Sequence, residues 1–220
     1  PNPYRSKIAG EIPDSDRTLF SDYNKSLKID RIGQYVLHAT QDAIRDAQLT
    51  QPFAFEKTGV IIGTGLGGLF FAETQLTSYY QNTIKNTHIH PLTVPFVNPN
   101  SLSTLIAKKW QCKGPNLTIC TACASGTHAI GQALDLLRLN KADRMIVGGA
   151  ESPLMPLTFS GFDRLNVLST QNTHPKHASR PFDKERDGFV MGEGAGILIL
   201  EKETTAQKRG VKGYAELAGY

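Results

Sequence analysis

Asn116-Leu117-Thr118-Ile119-Cys120-Thr121-Ala122-Cys123-Ala124-Ser125-Gly126 is the stretch on which the fold turns. Residues 116–120 alternate polar and apolar side chains, the period of a short strand. From Gly126 to Leu139, the residues Ile130, Ala133, Leu134 and Leu137 recur at helical spacing. A turn of small residues joins the two. It places Cys123 at a tight strand-to-helix corner, with its sulfur exposed above the sheet. The first N–H groups of the helix then face that sulfur and favour the thiolate, which is the nucleophile. A small buried core cysteine is the competing reading. The Ala-Cys-Ala-Ser-Gly context argues against it, because only small neighbours let a substrate approach this closely.

Working outward, a helix is expected from about Asp30 to Gln48, with Ile32, Tyr35, Val36, Ala39, Ala43, Ile44 and Ala47 on its inner face. Thr58-Gly59-Val60-Ile61-Ile62 has the continuous apolar character of a buried strand, closed by the loop Gly63 to Gly68. A helix carrying Phe70, Phe71, Leu76 and Tyr79 follows. Pro91 to Pro99 reads as a loop, and Ser101 to Trp110 as a short helix. Arg144 to Ala150 and Gly196 to Leu200 are further buried strands, and Tyr214-Ala215-Glu216-Leu217 begins another. Residues 1–24 and 163–188 are polar and irregular. Strands alternating with helices indicate an α/β sheet covered by helices on both faces.

Composition narrows the function classes. Forty per cent apolar and 20% charged residues describe an ordinary globular chain. No apolar run approaches the roughly 20 residues of a membrane span. Three cysteines in 220 residues argue for a reducing compartment, not a disulfide scaffold. The net charge of +4 suits an acidic partner. No basic run with interleaved aromatics points to nucleic acid. The opening Pro1-Asn2-Pro3-Tyr4 reads as the start of a fragment.

Several motifs compete with the cysteine elbow. Gly63-Thr64-Gly65-Leu66-Gly67-Gly68 satisfies G-x-G-x-x-G after a strand. A dinucleotide site also needs an acid about 20 positions on, ending a second strand. Thr83 to His90 supplies neither, so a tight turn with close backbone packing is the better reading. Cys120-x-x-Cys123 with His174-x-x-His177 has the composition of a zinc site. Cys120, however, is placed inside a strand, where residues three apart point to opposite faces. Cys112 and Cys120 are therefore read as structural. His128 stands early in the cysteine helix, either as a general base or as a packed or capping histidine. Asp183-Lys184-Glu185-Arg186-Asp187 by itself is a solvated charge run.

Taken together, six blocks in order resemble the β-ketoacyl synthases, the condensing enzymes of fatty-acid and polyketide synthesis. They are residues 59–68, Gly114-Pro115-Asn116-Leu117, residues 121–126, Val147-Gly148-Gly149-Ala150-Glu151, residues 179–189 and Gly192-Glu193-Gly194-Ala195-Gly196. The similarity looks closest to bacterial elongating type II enzymes, with modular polyketide synthase domains next. It implies the thiolase-like fold, an α/β architecture of similar halves around stacked sheets. Residues 1–220 match the N-terminal half of it, without the opening strand or the C-terminal half.

The resemblance implies that Cys123 is the acylated nucleophile, with Phe162 as an aromatic gate beside it. Ala122 and Leu102 match positions lining the acyl pocket, Leu102 near its far end. Lys25, Lys28 and Arg31 fall where the family places a basic patch facing the acidic carrier protein; a solvated helix face is the alternative. The expected partners are an acyl carrier protein and a second copy of the chain, in the cytoplasm. Neither metal nor bound cofactor is implied, since phosphopantetheine arrives on the carrier. The family's catalytic histidines, lysine and Gly-Phe-Gly loop lie in the half this chain does not match. A non-catalytic dimerising scaffold of the same fold and a thiolase-type acyl-CoA enzyme are the rival readings.

Overall fold

The run read as a buried strand, β1 (Thr58–Gly63), is buried at every residue. The computed structural model describes residues 4–13, 29–49, 55–81 and 89–220. Within them one mixed sheet runs β2 (Asn116–Ile119), β1, β3 (Arg144–Glu151), β4 (Gly194–Glu201). β1 is parallel to both β2 and β3, whereas β3 and β4 are antiparallel. Gly63 is level with Ile119 on one side and Gly149 on the other. The carboxyl ends of three strands therefore meet at one edge of the sheet.

Side-chain alternation along β1 explains why it is apolar throughout. Val60 and Ile62 point to one face, where Ile146 joins them under α1 (Arg31–Asp46) and α4 (Ser101–Trp110). Ile32, Val36, Ile44, Leu102 and Ile106 supply the helical side of that core. Ile61, Met145 and Val147 face the other way, against Ala129, Ala133 and Leu137 of α5 (Ser125–Arg138). Each fully buried aliphatic side chain contributes roughly 1.5–3 kcal/mol by leaving water. A strand buried on both faces has no solvated side, so it cannot show the polar alternation of an edge strand. β2 is that edge: Asn116 and Leu117 are exposed.

Glu201, at the end of β4, is nearly buried and clamped by two guanidinium groups. Arg144 Nε donates to its Oε1 at 2.6 Å and Arg209 Nη2 to its Oε2 at 2.8 Å. Burial pulls the Arg144 pKa below its ordinary range, and the Glu201 charge opposes that pull.

The helix ends follow backbone geometry. α1 stops at Asp46 and α4 at Trp110, with Gln48 and Gln111 just beyond them in the left-handed region at φ 55°. α2 spans Leu69–Gln81. Three expectations need correction. Pro91–Pro99 is not all loop, because Thr93–Val97 forms a short helix, α3, which buries Phe96. Residues 214–217 form no strand; Tyr214 instead donates its hydroxyl to Asp46 at 2.8 Å, so this segment leans on α1. Cys120 lies one residue past the end of β2, not inside it. Pro156–Arg164 forms a further helix, α6, with proline in its first turn. The last helix is α7, Glu203–Lys208. Among the described residues no helix is long and apolar enough to cross a membrane.

Candidate active site

Three segments leave the sheet edge together and tie to one another. The loop after β1 is tied to the last residue of β2: Thr64 N–H donates to Ile119 O at 3.0 Å. From Cys120 the chain turns into α5 through Ala122, which adopts φ 52°. A non-glycine residue in this left-handed region costs about 1–2 kcal/mol, so its surroundings must hold it.

Ser125 does the holding. It is 3% exposed. Its Oγ accepts the Thr121 N–H at 2.8 Å. The hydroxyl proton is within reach of Ala122 O at 2.6 Å and of Thr64 O at 3.2 Å. One proton serves one acceptor at a time, and the shorter bond closes the elbow on itself. Backbone bonds finish the turn: Ala124 N–H to Thr121 O at 3.2 Å and Ser125 N–H to Ala122 O at 3.1 Å. Gly63 lets β1 approach this corner, since a Cβ there would stand 2.6 Å from Gly126 N.

Cys123 is exposed at the crest of this corner. Cys120 is exposed too, and its Sγ–H donates to Gly65 O at 3.5 Å. Because β2 has ended and Ala122 bends the path, the two-face geometry of a strand does not separate these cysteines. Cys112 differs: burial pushes its thiol up to about 11. His128 Nδ1 lies 2.8 Å from Thr121 Oγ1, a bond that buttresses the elbow. Among the described residues, no three His, Cys, Asp or Glu side chains converge to hold a metal.

The G-x-G-x-x-G loop is already filled. Glu151, the last residue of β3, turns its carboxylate into the loop. Its Oε2 accepts Gly65 N–H at 2.6 Å, and its Oε1 accepts Leu66 N–H at 3.2 Å and the Thr64 hydroxyl at 3.1 Å. Those amides would have to cradle a pyrophosphate in a dinucleotide site. Here they hold an internal carboxylate.

The remaining sequence candidates fall in different places. Ala122 is the left-handed residue of the elbow, and its carbonyl is used as above. Phe162 sits half-buried on α6, its ring edge-on to Phe189 at 5.7 Å. Leu102 is 1% exposed, inside the core beneath α1. Lys25 and Lys28 lie outside the described residues. Arg31 turns inward: Nη1 pairs with Glu193 Oε2 at 3.2 Å, and its guanidinium stacks 4.7 Å from the Phe70 ring centroid. Ser125 and Glu151 were not singled out from sequence. Glu151's partner Gly65 is 86 positions away, beyond the reach of any local pattern, whereas Ser125's bonds to Thr121 and Ala122 are local and could have been read from the Thr-Ala-Cys-Ala-Ser turn.

Comparison with known proteins bears on this arrangement. Residues 2–206 match the family described as "Beta-ketoacyl synthase, N-terminal domain". A 3-oxoacyl-[acyl-carrier-protein] synthase 2 of Synechocystis sp. is 43% identical over 97% of this chain and 51% of its own length. The Staphylococcus aureus protein of the same name is 39% identical over 99% of this chain and 54% of its own length. Among solved structures, a type II polyketide synthase acyl-carrier protein in complex with its ketosynthase bound to the hexaketide contains a similar chain. It superposes with a TM-score of 0.84 at 33% identity, covering 98% of this chain and 52% of that one. The chain thus spans about half the length of the curated relatives it matches, and it shares the thiolase-like ketosynthase fold.

Proposed function

The chain belongs to the β-ketoacyl synthase family, and on that premise we propose that Cys123 accepts an acyl group in a decarboxylating condensation. The exposed Cys123 at an elbow locked by Ser125 is the observation that carries this reading. The Cys123 sulfur attacks the carbonyl of an acyl thioester on the phosphopantetheine arm of an acyl carrier protein. A carbon–sulfur bond forms at Cys123, and the carrier thiol leaves with a proton. The elbow N–H groups of Thr121, Ala124 and Ser125 are already bonded, so the Cys123 N–H is the donor proposed to stabilise the oxyanion formed on the way. A malonyl-carrier then loses carbon dioxide, and its carbanion attacks the acyl carbonyl. The new carbon–carbon bond expels the Cys123 sulfur, and 3-oxoacyl-carrier is released.

Phe162, Ala122 and Leu102 are proposed to bound the acyl group, with the buried Leu102 as the wall furthest from the sulfur. The carrier as partner is supported by the similar ketosynthase, whose structure is a complex with an acyl-carrier protein. Lys25 and Lys28 remain the proposed docking cations, whereas Arg31 serves the Glu193 pair. A homodimer in a reducing cytoplasm completes the reading. The edge of β2, unpaired among the described residues and with Leu117 44% exposed, is the kind of strand edge that proteins cover.

The test is to incubate the protein as encoded with an acyl-carrier thioester and map the adduct by mass spectrometry. An acyl group on Cys123, lost in Cys123→Ala, is the expected result. No adduct on any cysteine, with a folded and dimeric protein, would leave the scaffold role instead.

A further inference from the structure

We infer that Glu151 is a positioning residue for Cys123: its carboxylate fixes the loop from which the cysteine elbow hangs. The inference rests on the reading of Cys123 as the acyl acceptor. The connection runs through bonds already described and crosses all three strand ends. From β3, Glu151 takes the N–H groups of Gly65 and Leu66 and the Thr64 hydroxyl. The Thr64 Oγ1 in turn accepts Gly67 N–H at 3.0 Å, so the loop closes around one carboxylate. From that loop, Thr64 O faces the Ser125 hydroxyl and Gly65 O accepts from Cys120. Ser125 and Cys120 flank Cys123 in sequence. The backbone is tight here as well: a Cβ at Gly65 would stand 3.0 Å from Glu151 Oε2 and 3.9 Å from Ala122 Cα.

The chemistry favours a carboxylate for this job. Where β1 and β3 end, their ladder of backbone bonds ends too, and the next amides of the loop need acceptors. An ionised carboxylate offers two oxygens that only accept, and its bonds to N–H groups are stronger than neutral ones. A glutamine offers one accepting oxygen, so Glu151→Gln leaves one of the two amides facing an NH2. Loosening the loop frees the elbow, and a nucleophile displaced by about 1 Å can lose roughly 100-fold in rate.

The experiment measures acylation of Cys123 in the protein as encoded, for wild type, Glu151→Gln, Glu151→Ala and Glu151→Asp. Alkylation of half-buried Cys112 is followed in parallel as a report on unfolding. Glu151→Gln is expected to slow Cys123 acylation about 10-fold and Glu151→Ala about 100-fold, with Glu151→Asp recovering part of the rate. Cys112 should stay protected and the melting temperature nearly unchanged in Glu151→Gln. Acylation of Glu151→Ala at the wild-type rate overturns the inference while leaving the role of Cys123 intact. So does a loss that tracks Cys112 exposure across the series, since that pattern marks a stability role. Absence of acylation in wild type would defeat the reading of Cys123 itself.

Discussion

Replacing Ser125 by alanine removes a single oxygen from a residue that is 3% exposed. That oxygen accepts the Thr121 N–H and places its proton between Ala122 O and Thr64 O. Ala122 O keeps the Ser125 N–H as a partner, so it is not stranded. Thr121 N–H has its acceptor removed at a part-buried site on an exposed residue, which costs about 1 kcal/mol, the low end for an unpaired donor. The hydroxyl-to-carbonyl bond adds about 0.5–1.5 kcal/mol. With Ala122 already strained, the total comes to roughly 1.5–2.5 kcal/mol, and it falls on the elbow itself. For a folding unit of this size that corresponds to a melting-point loss of about 3–10 °C. Calorimetry combined with the rate of Cys123 acylation measures both parts. Thr127→Ala, at an exposed position in the same turn of α5, is the control and should do neither. A Ser125→Ala protein that melts within 1 °C of wild type and acylates at the same rate would refute the elbow-locking role (the threshold is set well below the expected loss).

Three further outcomes follow from titrating and charged groups. With its thiol pushed up to about 11, Cys112 at pH 8 holds roughly one thiolate in a thousand. Iodoacetamide should therefore label it about 100-fold more slowly than an ordinary thiol, and labelling as fast as Cys123 would contradict its burial. Burial raises the Asp30 carboxyl from 3.8 to about 6, and its buried Oδ2 has no hydrogen-bond partner among the described residues. A raised folded pKa means the stabilisation is fully present below pH 3.8 and is lost as pH rises through about 6. Asp30→Asn should thus gain about 1–3 kcal/mol at pH 7.5 and show little advantage at pH 4; an equal gain at both would exclude titration as the cause. Glu201→Gln leaves the nearly buried Arg144 cation without its counter-charge and should cost about 3–5 kcal/mol in chemical denaturation. A loss below roughly 1 kcal/mol would mean that water reaches Arg144 in its place.

Much of the active-site scaffold is legible in local sequence. The spacing of Ile32, Tyr35, Val36 and Ile44 specifies α1, and Ser101–Trp110 forms the helix its pattern indicates. The apolar runs around Val60 and Ile146 become strands buried on both faces. Small residues around Cys123 mark the elbow because sterics act between immediate neighbours. Where the period was too short to read, local pattern failed. The five-residue helix around Phe96 and the unpaired segment at Tyr214 are such cases, since tertiary contact decides between helix, strand and coil there.

Sequence by itself determined the order of most elements, the small-residue elbow around Cys123 and the family. Only the tertiary structure decided the strand order β2-β1-β3-β4, the reversal of β4, and the partners of the loop after β1. A lone G-x-G-x-x-G cannot say whether its amides await a phosphate or already hold Glu151, and a lone Arg31 cannot say whether it faces a partner or Glu193. Backbone propensity and side-chain period are carried by neighbours along the chain. Hydrogen bonds between groups 86 and 162 positions apart exist only after the sheet has brought the ends of its strands together.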